Sequence, residues 1–262
     1  MRSDKINHRG LELLQALERL GGSARSSDLV EVLEVSGETV RRTIAGLAES
    51  GHVRRVHGGV LLQRPEVEGG DFVSRLGENA REKRAVARRV AEEIEDGMTL
   101  FLDVSTTTSF VVESLGRLSQ LTVVTNALGI GQALANRNDN RVHLLGGEVS
   151  GRDNGTFGAL TQAQAARFAY DLAVFGVDGV SAEQGYLYYS EQEAAMAEVV
   201  AASAGRVVVG ITQDKFSRAA PYKGMAPTQV DLLVADGEAP AELETQLALW
   251  GTGFAAAFAP QV

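Results

Sequence analysis

From Met98 onward the chain repeats one rhythm: a short unbroken apolar run, a polar loop, then a helical stretch. The runs are MTLFLDV at 98–104, LTVVTN at 121–126, RVHLLGG at 141–147, DLAVFGVDG at 171–179 and RVVVGITQDK at 206–215. A strand that is apolar at nearly every position must be covered on both faces, and intervening helices supply the covers. The pattern therefore predicts an α/β fold with a Rossmann-like, mostly parallel sheet.

Open sheets of this kind bind ligands beyond the carboxyl ends of their strands. At those ends stand Asp103, Ser105, Thr106 and Thr107, then Thr125 and Asn126, then Gly146 and Gly147, and finally Lys215. Topology alone brings them to one rim. Hydroxyls and free amides at a helix N-terminus make an anion cradle. Adjacent glycines let backbone approach a ligand closely, and a lysine is a mobile point charge suited to phosphate. Asp103, Asn126 and Glu193 can bond hydroxyls. The set suits a small phosphorylated sugar or polyol, although the threonine run taken alone is equally a plain helix cap. Neither a G-x-x-x-x-G-K-[ST] loop nor a dinucleotide fingerprint is present, and no cofactor is expected.

The N-terminal quarter reads differently. Within VSGETVRRTIAGLAESGHVRRVHGGV at 35–60, Ser36 is a good helix N-cap and Val40, Ile44 and Leu47 recur at helical spacing. Thr39, Arg41, Arg42 and Thr43 fall off that stripe and are expected to face outward. Gly51 is placed to stop the helix. Arg54 and Arg55 then lie in a strand, and Gly58-Gly59 supply the turn of a β-ribbon. A helix around Leu11, Leu14 and Leu17 and a shorter one around Leu29 and Leu33 come first. The order is that of a winged helix-turn-helix, whose second motif helix enters the major groove of DNA.

The charge of −9 is unevenly spread. Residues 1–64 hold ten Lys/Arg and eight Asp/Glu, so the remainder holds fifteen and twenty-six. A small basic face on an acidic body suits a DNA reader whose bulk is repelled by phosphate. An isolated arginine pair is more often a solvated helix face. Its place after a helix-turn-helix and before a basic ribbon makes DNA contact the stronger reading.

The stretch VSGETVRRTIAGLAESGHVRRVHGG resembles the N-terminal signature of the DeoR family of bacterial transcriptional regulators. Ser36, Thr39, Arg41, Arg42, Arg55, His57, Gly58 and Gly59 match its positions, while Thr43 stands where the family usually has Asp. LTVVTNALGI, VHLLGGEV, LAVFGVDGV and DKF are similar to segments of its effector domain, over about 79–236. The resemblance implies a domain similar in fold to ribose-5-phosphate isomerase, which senses a phosphorylated sugar. Departures cluster at the pocket: Ser105 replaces a Gly, Ala197 a Lys, Thr212 an Asp and Asp214 a Ser.

The expected organisation is a DNA-binding domain over 1–62, a linker over 63–75 and an effector-sensing and oligomerising domain over 76–262. The expected function is a sequence-specific transcriptional regulator, a repressor, controlled by a phosphorylated sugar. Its partners would be double-stranded operator DNA, that effector and a second copy or three more, because two-fold operators need two winged helices. Two other functions compete. One is a regulator with a degenerate pocket that does not respond to a sugar phosphate. The other is a sugar-phosphate isomerase-like enzyme with Asp103 or Glu193 as base, for which Ala197 and Thr212 leave the acid–base set depleted; no catalytic residue is assigned. His8, His52, His57 and His143 are scattered and there is no cysteine, so no metal is expected. No apolar run approaches the roughly 18 residues of a membrane span, and the first ten residues lack an apolar signal region. Cytoplasm is the expected compartment.

Overall fold

The computed structural model describes residues 8–19, 23–50, 52–56, 59–62, 71–135 and 137–258. The chain divides into two compact units, Met1–Gly69 and Gly70–Val262. Each has its own core.

The first unit runs α1 (His8–Arg19), β1 (Ser23–Arg25), α2 (Ser26–Leu33), α3 (Gly37–Glu49), β2 (Val53–Val56) and β3 (Gly59–Leu62). Its strands form an antiparallel sheet in the order β1-β3-β2. The apolar stripe of α3, Val40, Ile44 and Leu47, is buried with Leu13, Leu17, Leu29, Val53 and Val60. Ser36 caps α3 as its sequence suggests, accepting from the Thr39 amide at 3.2 Å. The three-residue strand β1 was not expected; pairing with β3 turns the ribbon into a three-stranded sheet. The ribbon turn also differs. Gly59 opens β3 opposite Val56, so the two connecting positions are His57 and Gly58, which lie outside the described residues. Gly51 lies outside them too.

The second unit begins with α4 (Phe72–Gly77) and α5 (Ala80–Ala91). The linker expected to run to residue 75 is thus helical from Phe72, because Asp71 caps that helix by accepting from the Ser74 amide at 2.8 Å. There follow β4 (Thr99–Leu102), α6 (Thr106–Ser114), β5 (Thr122–Thr125), α7 (Leu128–Leu134), β6 (Arg141–Leu144), β7 (Glu148–Ser150), β8 (Gly155–Phe157) and α8 (Ala159–Ala165). The chain continues through β9 (Leu172–Phe175), β10 (Gly179–Ser181), β11 (Gly185–Tyr188), α9 (Glu191–Ala201), β12 (Val207–Ile211), β13 (Tyr222–Lys223), β14 (Leu232–Ala235), α10 (Ala241–Trp250) and β15 (Gly253–Ala256).

Seven strands form the main sheet, in the order β15-β14-β12-β9-β4-β5-β6. Every pairing in it is parallel. Strands β4, β9, β12 and β14 are buried almost throughout, with one core cluster around Phe101, Phe175 and Val209 and another around Leu100, Leu102 and Val208. That two-sided burial is why they read as unbroken apolar runs. From β4 the chain winds outward through β5 to β6, then crosses back to β9 and winds the other way through β12, β14 and β15. The reversal makes the gap between β4 and β9 the topological switch point of the sheet, the place where such folds bind ligands. Two small antiparallel sheets, β7-β8 and β10-β11-β13, are laid at the carboxyl ends and were not anticipated. Among the described residues no helix is long and apolar enough to cross a membrane.

Candidate functional site

The switch point is held together by one carboxylate. Asp103, just past the end of β4, accepts from the Gly176 amide at 2.8 Å and from the Ser105 amide at 3.1 Å. Gly176 follows β9 directly, so the two halves of the sheet are bridged through Asp103. Only glycine fits at 176, since a Cβ there would lie 2.4 Å from the Ser105 hydroxyl. Burial pushes the Asp103 carboxyl above its usual range, against the hydrogen bonds that favour its charged form.

Asp103 opens into a cleft that it lines with Asn126, Tyr188 and Glu193, on a floor of Val104, Phe175 and Met196. Asn126 donates its amide to the Thr156 carbonyl at 3.1 Å, but its buried Oδ1 has no partner among the described residues. The buried Tyr188 hydroxyl likewise has none. Glu193 sits in the first turn of α9, whose cap Ser190 accepts from its amide at 3.3 Å. Burial pushes the Glu193 carboxyl up to about 8; the negative charge of Asp178 adds to this and the positive charge of Arg75 opposes it. Buried polar atoms without partners are rare in folded proteins and each requires a reason. Here two of them share a cleft with two carboxylates. The cleft is tight, with room for about one water.

The sequence-derived set is only partly gathered here. Asp103, Asn126 and Glu193 meet in the cleft. Ser105 caps α6, accepting from the Thr108 amide at 3.1 Å, and its hydroxyl also meets that of Thr108 at 2.7 Å. Thr106 and Thr107 are buried. The Thr107 methyl packs where a Cβ at Gly210 of β12 would stand 3.3 Å away. The Thr125 hydroxyl donates to the Leu102 carbonyl at 2.6 Å and accepts from the Ala127 amide at 3.0 Å, tying β5 to β4. Gly146 and Gly147 are closely packed against α8. The Gly146 amide donates to Gln164 at 2.9 Å and its carbonyl accepts from Thr161 at 2.8 Å. At Gly147, with φ of +152°, a Cβ would lie 2.1 Å from the Thr161 hydroxyl.

Lys215 stands apart from the cleft lining, donating to the Val177 carbonyl at 2.6 Å. It has two cationic neighbours that the sequence reading placed elsewhere. Arg75 falls in the stretch expected as linker, and Lys83 was not among the residues expected at the site. Lys83 is only 4% exposed and donates its ammonium to the Arg75 carbonyl. Burial lowers its pKa to about 8, with the positive charges of Lys215 and Arg75 contributing. Tyr188 was also missed.

In the first unit Arg41 and Arg42 are exposed on α3, as expected of groups that reach DNA. Arg41 lies 3.7 Å from Glu38 and its Nε donates to the Gly37 carbonyl at 3.3 Å. Thr39 and Thr43 do not share that face. Both are half-buried and border a crevice with Arg9 and Glu12 of α1. Their hydroxyls are engaged locally, Thr39 with Ser36 at 2.9 Å and Thr43 with the Thr39 carbonyl at 2.9 Å. Arg54 and Arg55 pair in register with Leu61 and Val60.

Residues 9–66 match the DeoR-like helix-turn-helix domain and residues 78–237 the DeoR C terminal sensor domain. The chain is similar to the Glycerol-3-phosphate regulon repressor of Escherichia coli (strain K12), 32% identical over 219 residues that make up 84% of this chain and 86% of that protein. It is also similar to the HTH-type transcriptional repressor CsqR of the same strain, 28% identical over 226 residues, 86% of each chain. Among solved structures it is similar to ribose 5-phosphate isomerase A of Methanocaldococcus jannaschii, with a TM-score of 0.39 and 16% identity over 53% of this chain and 55% of that one. With both of its units matched in order, the chain belongs to the DeoR family of DNA-binding transcriptional repressors.

Proposed function

We propose that this chain is an operator-binding repressor whose affinity for DNA is set by a phosphorylated sugar or polyol held at the switch-point cleft. The observation that carries the reading is the pair of buried, unpartnered groups, Asn126 Oδ1 and the Tyr188 hydroxyl, beside the Asp103 and Glu193 carboxylates. Asn126 Oδ1 accepts hydrogen bonds, the Tyr188 hydroxyl and the protonated Glu193 carboxyl both donate and accept them, and the hydroxyls of a polyol can do either. The cleft as it stands has room for about one water. A polyol therefore binds only a wider form, and a ligand that favours one form over another shifts the population between them. Operator recognition is assigned to Arg41, Arg42 and the basic ribbon, with Ser36 and Thr39 fixing the first turn of α3 and Thr43 acting through packing against α1. Two copies are required at a two-fold operator.

The test is a gel-shift titration with the DNA upstream of the chain's own gene. Arg42→Ala is expected to weaken binding by roughly 1–3 kcal/mol if the side chain reads a base; unchanged affinity removes Arg42 from the interface. Repeating the titration with a panel of phosphorylated sugars tests the effector arm. A repressor whose cleft takes no ligand is the second reading, favoured by the tightness of that cleft. It predicts that no member of the panel changes either DNA affinity or thermal stability. The relatives named above are repressors, and among the described residues no cation lines the cleft to support isomerase chemistry.

A further inference from the structure

The seven-stranded sheet has two free edges, β6 and β15, and they differ in kind. An open edge is a row of unpaired amides and carbonyls that accepts a strand from another chain, and proteins that stay single guard it with charge. At β6 the guards are present, because Arg141 and His143 are both exposed on that strand. At β15 there are none. From Thr245 to Phe258 no residue is charged, although charged residues make up 23% of the chain. The carboxylates of α10, Glu242 and Glu244, are confined to its first turn, and its last turn leads into β15.

This uncharged stretch is not covered. Leu249 in the last turn of α10 is 75% exposed, and Phe258, just past β15, is 62% exposed. Leu243 and Leu247 of α10 pack into the same core cluster as Phe254, while Ala255 and Ala257 pack into the other. Side chains alternate along a strand, so Ala256 and Phe258 share the face that α10 covers. The backbone is open as well. Gly253 and Ala257 donate inward, to the Asp231 and Ala235 carbonyls at 2.8 and 2.7 Å. Alternation leaves the amides and carbonyls of Phe254, Ala256 and Phe258 pointing away from β14, and among the described residues no strand pairs with them.

The occupant that fits this edge is a second copy of the chain. Gly70–Val262 carries fifteen Lys/Arg against twenty-four Asp/Glu. Two such units repel over most of their surface and approach closely only where charge is missing. A strand edge turned onto itself about a two-fold axis also meets the isologous rule that one patch contacts its own copy. With Ala256 on the axis the two β15 strands run antiparallel, and Phe254 of one copy stands opposite Phe258 of the other, a stabilising aromatic pair. One short edge falls below the roughly 800 Å² per partner that a stable interface buries, and the exposed end of α10 extends it.

We propose that β15 and the last turn of α10 form the contact between two copies of this chain, joining their main sheets across a two-fold axis. The proposal rests on the repressor reading above only for the need for two copies, and it is independent of the effector.

Sedimentation of the full chain over a range of concentrations is the first test. Wild type is expected as two copies or a multiple of two, and Leu249→Glu and Phe258→Glu each as a smaller species, since each sets carboxylates of both copies against the joint. Both side chains are exposed in the single chain, so the fold should tolerate the change, as a matching circular dichroism spectrum would verify. Leu144→Glu, at the guarded β6 edge, should leave the mass unchanged. Hydrogen exchange reads the edge directly. The amides of Phe254, Ala256 and Phe258 should be protected in assembled wild type and exchange about tenfold or more faster on dilution, while those of Gly253 and Ala257, bonded within the sheet, change little. This arm decides the matter alone if either glutamate variant misfolds. A wild type that stays a single copy at every concentration removes both the contact and the two-copy requirement. Assembly that survives both glutamates, with the three edge amides exchanging freely, overturns the contact and leaves the repressor reading standing. Loss of assembly in Leu144→Glu alone moves the contact to β6.

Discussion

Glu193 is the residue whose chemistry the fold changes most legibly. Burial and the charge of Asp178 raise its carboxyl from 4.5 to about 8, so the folded chain holds a proton that the unfolded chain has already lost. Stability changes with pH in proportion to the difference in protons bound by the two states. Below the unfolded value both states are protonated and the contribution is fully present. As pH rises from there toward about 8, the unfolded state alone ionises and stability falls. Thermal unfolding of the sensor unit between pH 5 and 8 should therefore show a decline that Glu193→Gln makes shallower, with Asp103, raised in the same direction, keeping part of it. Lys83, lowered to about 8, acts above that window and with the opposite slope. Identical slopes in wild type and Glu193→Gln would mean that the carboxyl titrates normally. Asp103 and Asn126 were legible as neighbours because strand ends of a parallel sheet meet at one rim, whereas Glu193, in the first turn of α9, was named only as a group able to bond hydroxyls. Tyr188 was not, because a tyrosine in GYLY reads as ordinary strand until an inserted hairpin turns it into the cleft. Lys83 was hidden differently: its helix packs against both α6 and β12, a tertiary fact that helical periodicity does not contain.

At the scale of elements, five of the seven strands of the main sheet, β4, β5, β6, β9 and β12, were visible as rhythm, and the sheet order follows from the reversal after β6. The inserted pieces were invisible, since β7, β8 and β10 are three residues each and carry little pattern. They nevertheless position the cleft. Gly155 opens β8 and packs against its back wall, where a Cβ would lie 2.5 Å from Val104 and 2.9 Å from the Asn126 carbonyl. Backbone cannot yield as a flexible side chain does, so Gly155→Ala must displace β8 or the loop that carries Asn126. Overpacking of this kind costs about 1–3 kcal/mol. Gly151, in the turn just before, has open space around it and serves as the control. Gly155→Ala should lower the unfolding temperature of the sensor unit, and Gly151→Ala should leave it nearly unchanged. Equal effects would show that the β7-β8 hairpin does not press on the cleft.

The whole molecule is two units with separate hydrophobic cores, one around Leu17, Leu29 and Val40 and the other around the parallel sheet. The residues proposed to bind an effector all lie in the second unit, and those proposed to bind DNA all lie in the first. With Gly69 as the boundary the first unit holds ten Lys/Arg and ten Asp/Glu, leaving fifteen and twenty-four in the second. DNA binding must then come from the local placement of Arg41, Arg42 and the ribbon, because the first unit has no net positive charge to draw on. Separate cores predict separate unfolding: calorimetry of the full chain should resolve two transitions. An effector at about 100 times its dissociation constant adds roughly 2.7 kcal/mol to the state that binds it. That stabilisation should appear in the transition of the sensor unit, while operator DNA should raise the other. A single transition moved as one by either ligand would mean that the two cores melt together, and that the signal passes between them through a rigid junction instead of a shift in the sensor alone.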